Sequence, residues 1–211
     1  NDATDYTFGN KLAETHNYQV TLALEGLERT NEVEQLALTV DDVTAVESWL
    51  IIPASARPVS QEESEVTDAR ISIFGQPNNT ELYQADIQEG RWLAADDTQA
   101  AVVSASVLEQ KGWQVGEWIT LENNEGRVLD MQIVGTHFDP AINTSIHIPL
   151  NTLQQEWGYF GQVNTVWAQT AETDAEAQLA VANALETLYK TQAIDISPRS
   201  TFGENTIAAI V

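Results

Sequence analysis

Apolar and polar residues alternate strictly in the first patterned stretch of the chain, residues 18–25. The apolar set there is Tyr18, Val20, Leu22 and Leu24. A period of two predicts a strand with one face in the core. A helix is predicted next, behind a capping-box pattern of Asn31 with Glu34, from apolar residues at helical spacing: Val33, Leu36, Ala37 and Val40. Because residues 46–52 are typical of a returning strand, this part of the chain is predicted to be β-α-β.

The same order of elements returns near the other end of the chain. Residues 163–168 and 193–197 are each typical of a strand, and the second ends before Pro198. Between them we predict a helix of about four turns, which begins at a capping-box pattern of Thr173 with Glu176. Its apolar stripe consists of Ala177, Val181, Ala184, Leu185 and Leu188. Two such halves can pair as a split-βαβ sheet with both helices on one face.

Residues 90–150, between the two halves, are predicted to be rich in strands and tight turns. Val102-Val103 is typical of a buried strand, Ser104 of the N-cap of a short helix, and Gly112 of its left-handed C-cap. Residues 118–134 have the pattern of a hairpin, with its turn at residues 123–126. We therefore expect a β-rich insertion here.

The succession of motifs in this insertion resembles one known family. In chain order the motifs are EGRWL, VVS, a short helix, KGWQVGEWITL, GR, QIVGT, an aspartate and IPL. Together with the segments around Tyr18 and Val43, they resemble the extracytoplasmic domain of MacB/FtsX-type ABC transporter permeases. In that family the domain lies between the first and second membrane helices. This chain has Asp41-Asp42 where the family usually has proline and glycine.

The resemblance implies an α+β fold in two lobes. One is a discontinuous split-βαβ (porter-like) lobe near the membrane, and the other is an inserted, smaller, β-rich α/β lobe. The expected boundaries are 18–75 and 162–205 for the porter-like lobe, 76–161 for the inserted lobe, 1–17 for a linker from a preceding membrane helix, and 206–211 for the start of a following membrane helix. A buried terminal strand is the alternative for the apolar residues 207–211.

Composition restricts the possible partners. Nine basic against 32 acidic residues give a net charge of −23, which disfavours nucleic acid and anionic lipid surfaces by repulsion. Such acidity is typical of a well-solvated surface, or of a surface that steers a basic partner. The absence of cysteine excludes thiolate zinc sites and cysteine nucleophiles. No stretch approaches the roughly 20 apolar residues of a membrane helix, and no signal peptide pattern is present.

Residues with metal-ligand chemistry cluster only at His137, Asp139 and His147. If residues 131–137 and 145–149 pair as strands, the two histidines approach each other, but zinc needs three or four ligands. The simpler interpretation is strand residues with a turn at Asp139-Pro140. The turn at 123–126 fails the calcium-loop pattern, because Leu121 falls at the first ligand position. The chain has no G-x-S-x-G, P-loop or dinucleotide motif, so we assign no catalytic, cofactor-binding or metal residue and expect no cofactor.

Two further residue classes have a structural and a functional interpretation. Of the tryptophans, Trp49, Trp92, Trp118 and Trp167 lie in apolar patterns and are predicted core residues. Trp113 lies at a turn and is either core or a contact residue. The sequences Asn78-Asn79-Thr80 and Asn143-Thr144-Ser145 match the glycosylation pattern, and we interpret them as turn residues.

The resemblance implies a non-catalytic domain, exposed to the periplasm or the extracellular space, of a permease in the cell membrane. Its implied role is to couple cytoplasmic ATP hydrolysis to export or to a partner outside the membrane. The implied partners are a cognate cytoplasmic ATPase, a second permease copy and an extracytoplasmic protein, but no nucleic acid. The alternative is a ligand-sensing ectodomain that binds a peptide or lipid between its lobes. An extracellular hydrolase that uses unrecognised carboxylates or His137, Asp139 and His147 is a third hypothesis.

Overall fold

The computed structural model describes residues 14–60 and 71–201, in which it contains ten strands, four complete helices and one 3₁₀ turn. The strands are β1 Val20–Arg29, β2 Val43–Pro58, β3 Ile71–Gln76, β4 Asp86–Gly90, β5 Ala100–Ser104, β6 Trp118–Asn123, β7 Val128–Phe138, β8 Ser145–Pro149, β9 Gln162–Thr170 and β10 Ala193–Pro198. The helices are α1 Thr30–Ala37, α2 Ala105–Lys111, α3 Leu150–Glu156 and α4 Ala175–Tyr189, and the 3₁₀ turn is Arg199–Thr201. The mixed α and β class expected from the sequence is confirmed. In the described ranges, no helix has the length and apolar character needed to span a membrane.

The chain divides into two compact units. Unit 1 contains Thr80–Gln84 and the described parts of Asn1–Trp49 and Gly161–Val211, and unit 2 contains Ala85–Phe160 and the described part of Leu50–Asn79. Residues 50–60 and 71–75 lie in unit 2, because the second half of β2 pairs with β3 and β6, whereas the sequence assigns them to the porter-like lobe. Residues 1–13 and 202–211, with most of the expected linker and the expected start of a membrane helix, lie outside the described residues.

Unit 1 is built on an antiparallel sheet, whose order is β10-β1-β9-β2 in the part that the structure describes. Val20 of β1 pairs with Pro198 on one side and with Ala168 on the other. Strands of the N-terminal β-α-β half therefore alternate with strands of the C-terminal half, as in a split-βαβ sheet. The buried side chains of this unit include Val20, Leu22, Trp49, Val166 and Leu185.

The helices of unit 1 begin at other residues than the capping patterns predicted. The N-cap of α1 is Arg29, without a side-chain cap, so the prediction of Asn31 is wrong. The N-cap of α4 is Asp174 rather than Thr173, and its carboxylate accepts from two backbone amides of the first turn, at 3.0 and 3.1 Å. At its other end α4 is joined to α1 by the Tyr189 hydroxyl, which donates to the Val33 carbonyl. Burial raises the pKa of Tyr189 to about 12.

Unit 2 contains a closed circuit of strand pairs among its described residues, in the order β2-β3-β8-β5-β7-β6 and back to β2. Such a circuit is a small barrel, in which each of the six strands pairs with a neighbour on both sides. The predicted hairpin of β6 and β7 is confirmed, and β4 pairs with the second half of β7. The buried alternate positions of the hairpin are Ile119, Leu121, Leu129, Met131 and Ile133.

One glycine of the EGRWL motif and one of the QIVGT motif lie directly against each other where β4 meets β7. Gly90 and Gly135 are partners in the strand register, and Gly90 has a φ of +73°. A Cβ atom at Gly90 would lie 2.3 Å from the Val134 carbonyl oxygen, and one at Gly135 would lie 2.2 Å from the Arg91 carbonyl oxygen. Only glycine permits backbones to come this close. The EGRWL and QIVGT motifs therefore mark one backbone contact.

Candidate functional site

The two histidines of the predicted cluster meet in unit 2, although their strands do not pair. β5 lies between β7 and β8, so the direct pairing of residues 131–137 with 145–149, the condition under which the sequence predicts the approach of the histidines, does not occur. The imidazole rings reach over β5, and the centroids of His137 and His147 are 4.7 Å apart in an edge-to-face arrangement. Both side chains are fully buried.

A chain of hydrogen bonds runs through this pair. His147 Nδ1 is 2.6 Å from Gln76 Oε1, and its Nε2 is 3.2 Å from Ser145 Oγ, which in turn is 3.2 Å from His137 Nε2. The Ser145 hydroxyl has one proton, which it can donate to one of the two histidines or to the Ile142 carbonyl, 3.4 Å away. In one arrangement that fits the three histidine contacts, His147 Nδ1–H donates to Gln76, Ser145 donates to His147 Nε2, and His137 Nε2–H donates to Ser145. We call these four residues the histidine relay.

Within the histidine relay, Ser145, His147 and Gln76 are hydrogen-bonded in the same sequence as the nucleophile, the base and the orienting group of a catalytic triad. The chemistry is not supported, because all three side chains are fully buried and an amide stands where a carboxylate would stabilise an imidazolium. Ser104 belongs to the same network: it has the predicted N-cap position of α2, yet its hydroxyl accepts from the Ser145 amide, at 3.2 Å, and makes no cap bond. The arrangement joins β8 to β5 and β3.

Asp139 lies beside a turn rather than at a metal centre. Its Oδ1 accepts from the amides of Ala141 and Ile142, at 2.8 and 3.2 Å, as the interpretation of a turn at Asp139-Pro140 predicted. Across residues 14–60 and 71–201, no group of three histidine, cysteine or acidic side chains is placed to hold a metal ion.

The tryptophans divide between core and surface. Trp49 and Trp167 are buried as predicted, Trp113 is buried too, and Trp92 is half-buried. The prediction for Trp118 is wrong, since its side chain is 42% exposed. The cause is the period of two along β6, which turns Ile119 and Leu121 inward and therefore Trp118 outward.

Asn78 of the first glycosylation pattern is a structural residue. Its side-chain amide donates to the carbonyls of Ala94 and Asp97, at 2.8 and 3.0 Å, and so fixes the loop between β4 and β5. This contact supports the interpretation of Asn78 as a turn residue.

Sequence reasoning missed a second cluster, which lies in unit 1 around the segment Thr80–Gln84. We call this segment the strap, because the chain on both of its sides belongs to unit 2. The Glu47 carboxylate of β2 accepts three hydrogen bonds from it: Oε1 from the amides of Glu81 and Leu82, at 2.6 and 3.2 Å, and Oε2 from the Thr80 hydroxyl. Glu47 is one of two charged residues in β2, with Arg57, and no sequence pattern links it to residues 80–82.

The strap also pairs with the segment that leads into β1. Residues 15–19, which we call the lead-in segment, form an antiparallel bridge of His16 with Tyr83. The Asn17 amide donates to the Leu82 carbonyl, and the Gln84 amide donates to the Thr15 carbonyl, both at 2.8 Å. The sequence assigned residues 15–17 to a linker, but Thr15 and His16 are buried in unit 1.

Aromatic side chains anchor the strap in unit 1. The Tyr83 ring meets the rings of His16 and Trp49 edge to face, at centroid distances of 5.3 and 5.6 Å. The Trp167 ring lies 3.9 Å from that of Trp49 and stacks on that of Tyr18 at 4.2 Å. Tyr83 is buried, as is Leu82 beside it. Buried aromatic pairs of this kind each stabilise by about 1 kcal/mol beyond the burial of their area.

The lead-in segment is also bonded to the residues that follow β10. The Arg199 guanidinium donates to the His16 carbonyl, and its backbone amide donates to the Gln19 carbonyl at 2.7 Å. Burial lowers the pKa of Arg199 below its ordinary value, although an arginine keeps its charge at neutral pH. The chain segments that lead into and out of the described sheet are thus fastened to each other.

Comparisons with known proteins agree with this architecture. The model of the MacB-like periplasmic core domain family matches residues 6–187. The periplasmic region of MacB from Actinobacillus actinomycetemcomitans is similar in structure, with a TM-score of 0.60, 12% identity, and coverage of 92% of this chain and 94% of that one. The extracellular domain of the noncanonic ABC-type transporter YknZ from Gram-positive bacteria has a TM-score of 0.57, with 17% identity and coverage of 85% and 100%. No curated protein matches the chain significantly.

These findings assign the protein to a class, the extracytoplasmic domains of transporter permeases. The chain belongs to the family of MacB-like periplasmic core domains, which are domains of ABC transporter permeases. The resemblance inferred from the EGRWL and QIVGT motifs is thereby confirmed.

Proposed function

We propose that this domain is a non-catalytic coupling element, which passes motion from the membrane part of its permease to the exterior. The observation that carries the proposal is the Arg199 contact, which fastens the lead-in segment to the residues that follow β10. If membrane helices flank the domain, as in the resembling permeases, both would join unit 1 at one place. A displacement of either helix would then move unit 1 as a body.

The proposed partners follow from the same family membership. They are a cognate ATPase on the cytoplasmic side, a second permease copy, and a protein outside the membrane that receives the motion. A net charge of −23 makes two isolated copies repel, so dimerisation depends on the membrane part. At physiological salt this repulsion is screened beyond about 8 Å, which permits two domains held side by side.

The alternative function, a ligand-sensing ectodomain that binds a peptide or lipid, is not favoured by the comparisons. The hydrolase alternative named unrecognised carboxylates or the group of His137, Asp139 and His147. The side chains of that group are buried and bonded to neighbours, which gives no support to a reaction there.

The test uses the full-length permease with its ATPase in lipid nanodiscs. These 211 residues contain no cysteine, so one nitroxide label per copy can be placed at Glu186→Cys, on the exposed face of α4, once any cysteine elsewhere in the permease is replaced by serine. We expect the distance distribution between the labels of two copies to change when ATP is added. An ATPase variant that binds but does not hydrolyse ATP provides the control for turnover. Identical distributions with and without ATP would overturn the proposal.

A further inference from the structure

The strap lies within unit 1, yet the chain on both sides of it is built into unit 2. Only three residues separate Gln76, the last residue of β3, from Thr80, and only Ala85 separates Gln84 from the first residue of β4. An extended residue spans at most about 3.6 Å, so the reach from Gln76 to Thr80 is at most about 14 Å and that from Gln84 to Asp86 at most about 7 Å. A displacement of the strap must therefore reach strands β3 and β4 through covalent bonds.

The inner contacts of the strap are stronger than those of an ordinary loop. The Glu47 carboxylate accepts hydrogen bonds from three donors of the strap. Hydrogen bonds to an ionised acceptor are roughly twice as strong as those between neutral groups. His16 and Tyr83 form a backbone bridge, and the Tyr83 ring also packs edge to face against the Trp49 ring. Two independent attachments, one to β2 and one to the lead-in segment, hold five residues in place.

The attachment to the lead-in segment is the informative one. Residues 15–17 bond to the strap on one side, while the Arg199 side chain bonds to the His16 carbonyl. The same three residues therefore connect to β1 by the chain, to the residues after β10 by Arg199, and to unit 2 by the strap.

We propose that Thr80–Gln84 is a force-transmitting strap, which makes unit 2 follow movements of the lead-in segment. The proposal rests on the proposed function, because it names the route by which the coupled motion reaches the inserted unit. The chain also passes between the units inside β2, at Trp49–Leu50, and at Phe160–Gly161. The strap adds a connection that begins at residues 15–17 rather than within the sheet.

Two variants loosen the strap in different ways. Glu47→Ala removes the acceptor of all three hydrogen bonds, whereas Glu47→Gln keeps an oxygen at the position of Oε1, which the two backbone amides need. Glu25→Ala, at an exposed position of β1, controls for the lost charge. The second variant inserts Gly-Ser-Gly-Ser after Asn79 and again after Gln84. It leaves every strap contact intact and adds up to about 14 Å of slack on each side. The same insertion in the exposed turn at Lys190-Thr191 is its control.

The readout is a pair of distances between two copies of the full-length permease, with and without ATP. Labels at Glu186→Cys report unit 1, and labels at Glu109→Cys, exposed on α2, report unit 2. In the parent protein we expect both distances to change with ATP. In Glu47→Ala and in the double insertion, we expect the change at 186 to persist and the change at 109 to fall at least twofold. Glu47→Gln, Glu25→Ala and the Lys190-Thr191 insertion should keep at least three quarters of the change at 109.

The outcomes separate this inference from the proposed function. If the distance at 186 does not respond to ATP in the parent protein, the proposed function fails and the strap fails with it. If 186 responds and 109 does not, or if 109 responds equally in the parent and in both loosened variants, the strap is overturned and the coupling function stands. Hydrogen exchange at the Glu81 and Leu82 amides checks the variants, since exchange there should quicken in Glu47→Ala but stay slow in the double insertion. Fast exchange in the double insertion would show that it had damaged the site, and Glu47→Ala then decides the outcome.

Discussion

In unit 1 the decisive contacts join segments that are far apart in the chain, whereas in unit 2 they close a circuit of paired strands. Glu47 bonds to residues 80–82 and Arg199 to the lead-in segment, each by a single side chain. Unit 2 depends instead on strand pairing and on the contact of Gly90 with Gly135, which leave few separate links to cut. The difference teaches that a single substitution, at Glu47 or Arg199, removes a link between distant segments of unit 1, whereas in the barrel of unit 2 neighbouring strand pairs support one another.

The largest effect should come from the backbone contact of unit 2. Gly135→Ala places a methyl group against the Arg91 carbonyl, 2.2 Å away, where only backbone can yield. We expect a loss of about 3 kcal/mol in the free energy of unfolding, from steric overlap in a packed contact. Urea unfolding of the 211-residue domain, followed by tryptophan fluorescence, measures it.

Two other glycines separate the possible causes of that loss. Gly126 has a φ of +75° but open space around a Cβ atom, so Gly126→Ala should cost only the left-handed backbone penalty, about 1 kcal/mol. Gly26 has neither feature, and Gly26→Ala should change stability by less than about 0.5 kcal/mol. If Gly135→Ala were no worse than Gly126→Ala, the rigid contact in unit 2 would not exist as described.

The next effect tests whether the histidine relay is structural. Ser145→Ala removes the hydroxyl that both histidines share, inside a fully buried network. Loss of such a partner costs about 2 kcal/mol, because the remaining polar groups are still buried. Ser60→Ala, at an exposed turn residue, is the matched control and should be neutral. Equal unfolding curves for the two variants would show that the relay does not hold β8 in place.

The sequence predicted local features better than contacts between distant segments. The hairpin of β6 and β7 and the left-handed Gly112 were predicted because alternation and turn residues act over a few positions. The helix starts were displaced by one or two residues, since several nearby side chains can cap and packing decides among them. Trp118 was assigned to the core on apolar character, although the alternation of its own strand indicates the outer face.

The strap contact could not be predicted, because its partners have no common pattern. Glu47, residues 15–17 and residues 80–84 come from three separate places in the chain, and only the fold brings them together. The apolar pair Leu82-Tyr83 between two polar residues was a weak signal of an anchored segment. Only half of the histidine relay could be predicted. The sequence indicates His137 and His147 as a pair, but no pattern in it marks Gln76 or Ser145 as their partners.

A smaller effect is expected at the join of the two helices in unit 1. Tyr189→Phe removes the hydroxyl that donates to the Val33 carbonyl and keeps the ring, so it should cost about 1 kcal/mol at pH 8. Burial raises the pKa of this tyrosine from 10.0 to about 12, so its contribution is fully present below pH 10 and is lost as the pH rises toward 12. Urea unfolding at pH 8 and pH 11 should therefore show a gap between parent and variant that narrows at the higher pH. Tyr159→Phe is the comparison variant: it removes the hydroxyl of a half-buried tyrosine of unit 2, which accepts from the Asn123 side-chain amide at 3.3 Å.

The smallest effect should come from the one strong ion pair in the loop between β4 and β5 of unit 2. Arg91 donates to both oxygens of Asp97, at 2.6 and 2.9 Å, and the Ala94 amide donates to the same carboxylate at 2.7 Å. The bond from Arg91 is the main reason that the pKa of Asp97 is lowered from its ordinary 3.8. A lowered pKa stabilises the fold above that ordinary value, and the stabilisation is lost as the pH falls through the folded value.

Asp97→Asn should therefore cost about 0.5 kcal/mol at pH 7, a low figure because half of the Arg91 side chain is exposed to solvent. The difference from the parent protein should shrink below about pH 4, where the carboxylate of the parent is increasingly protonated. Asp96→Asn, at the exposed neighbouring position, should show neither the loss nor its pH dependence. Urea unfolding at pH 7 and pH 3 distinguishes the two variants. A cost of 2 kcal/mol or more at Asp97 would instead show that this loop of unit 2, like the strap of unit 1, depends on a single side chain.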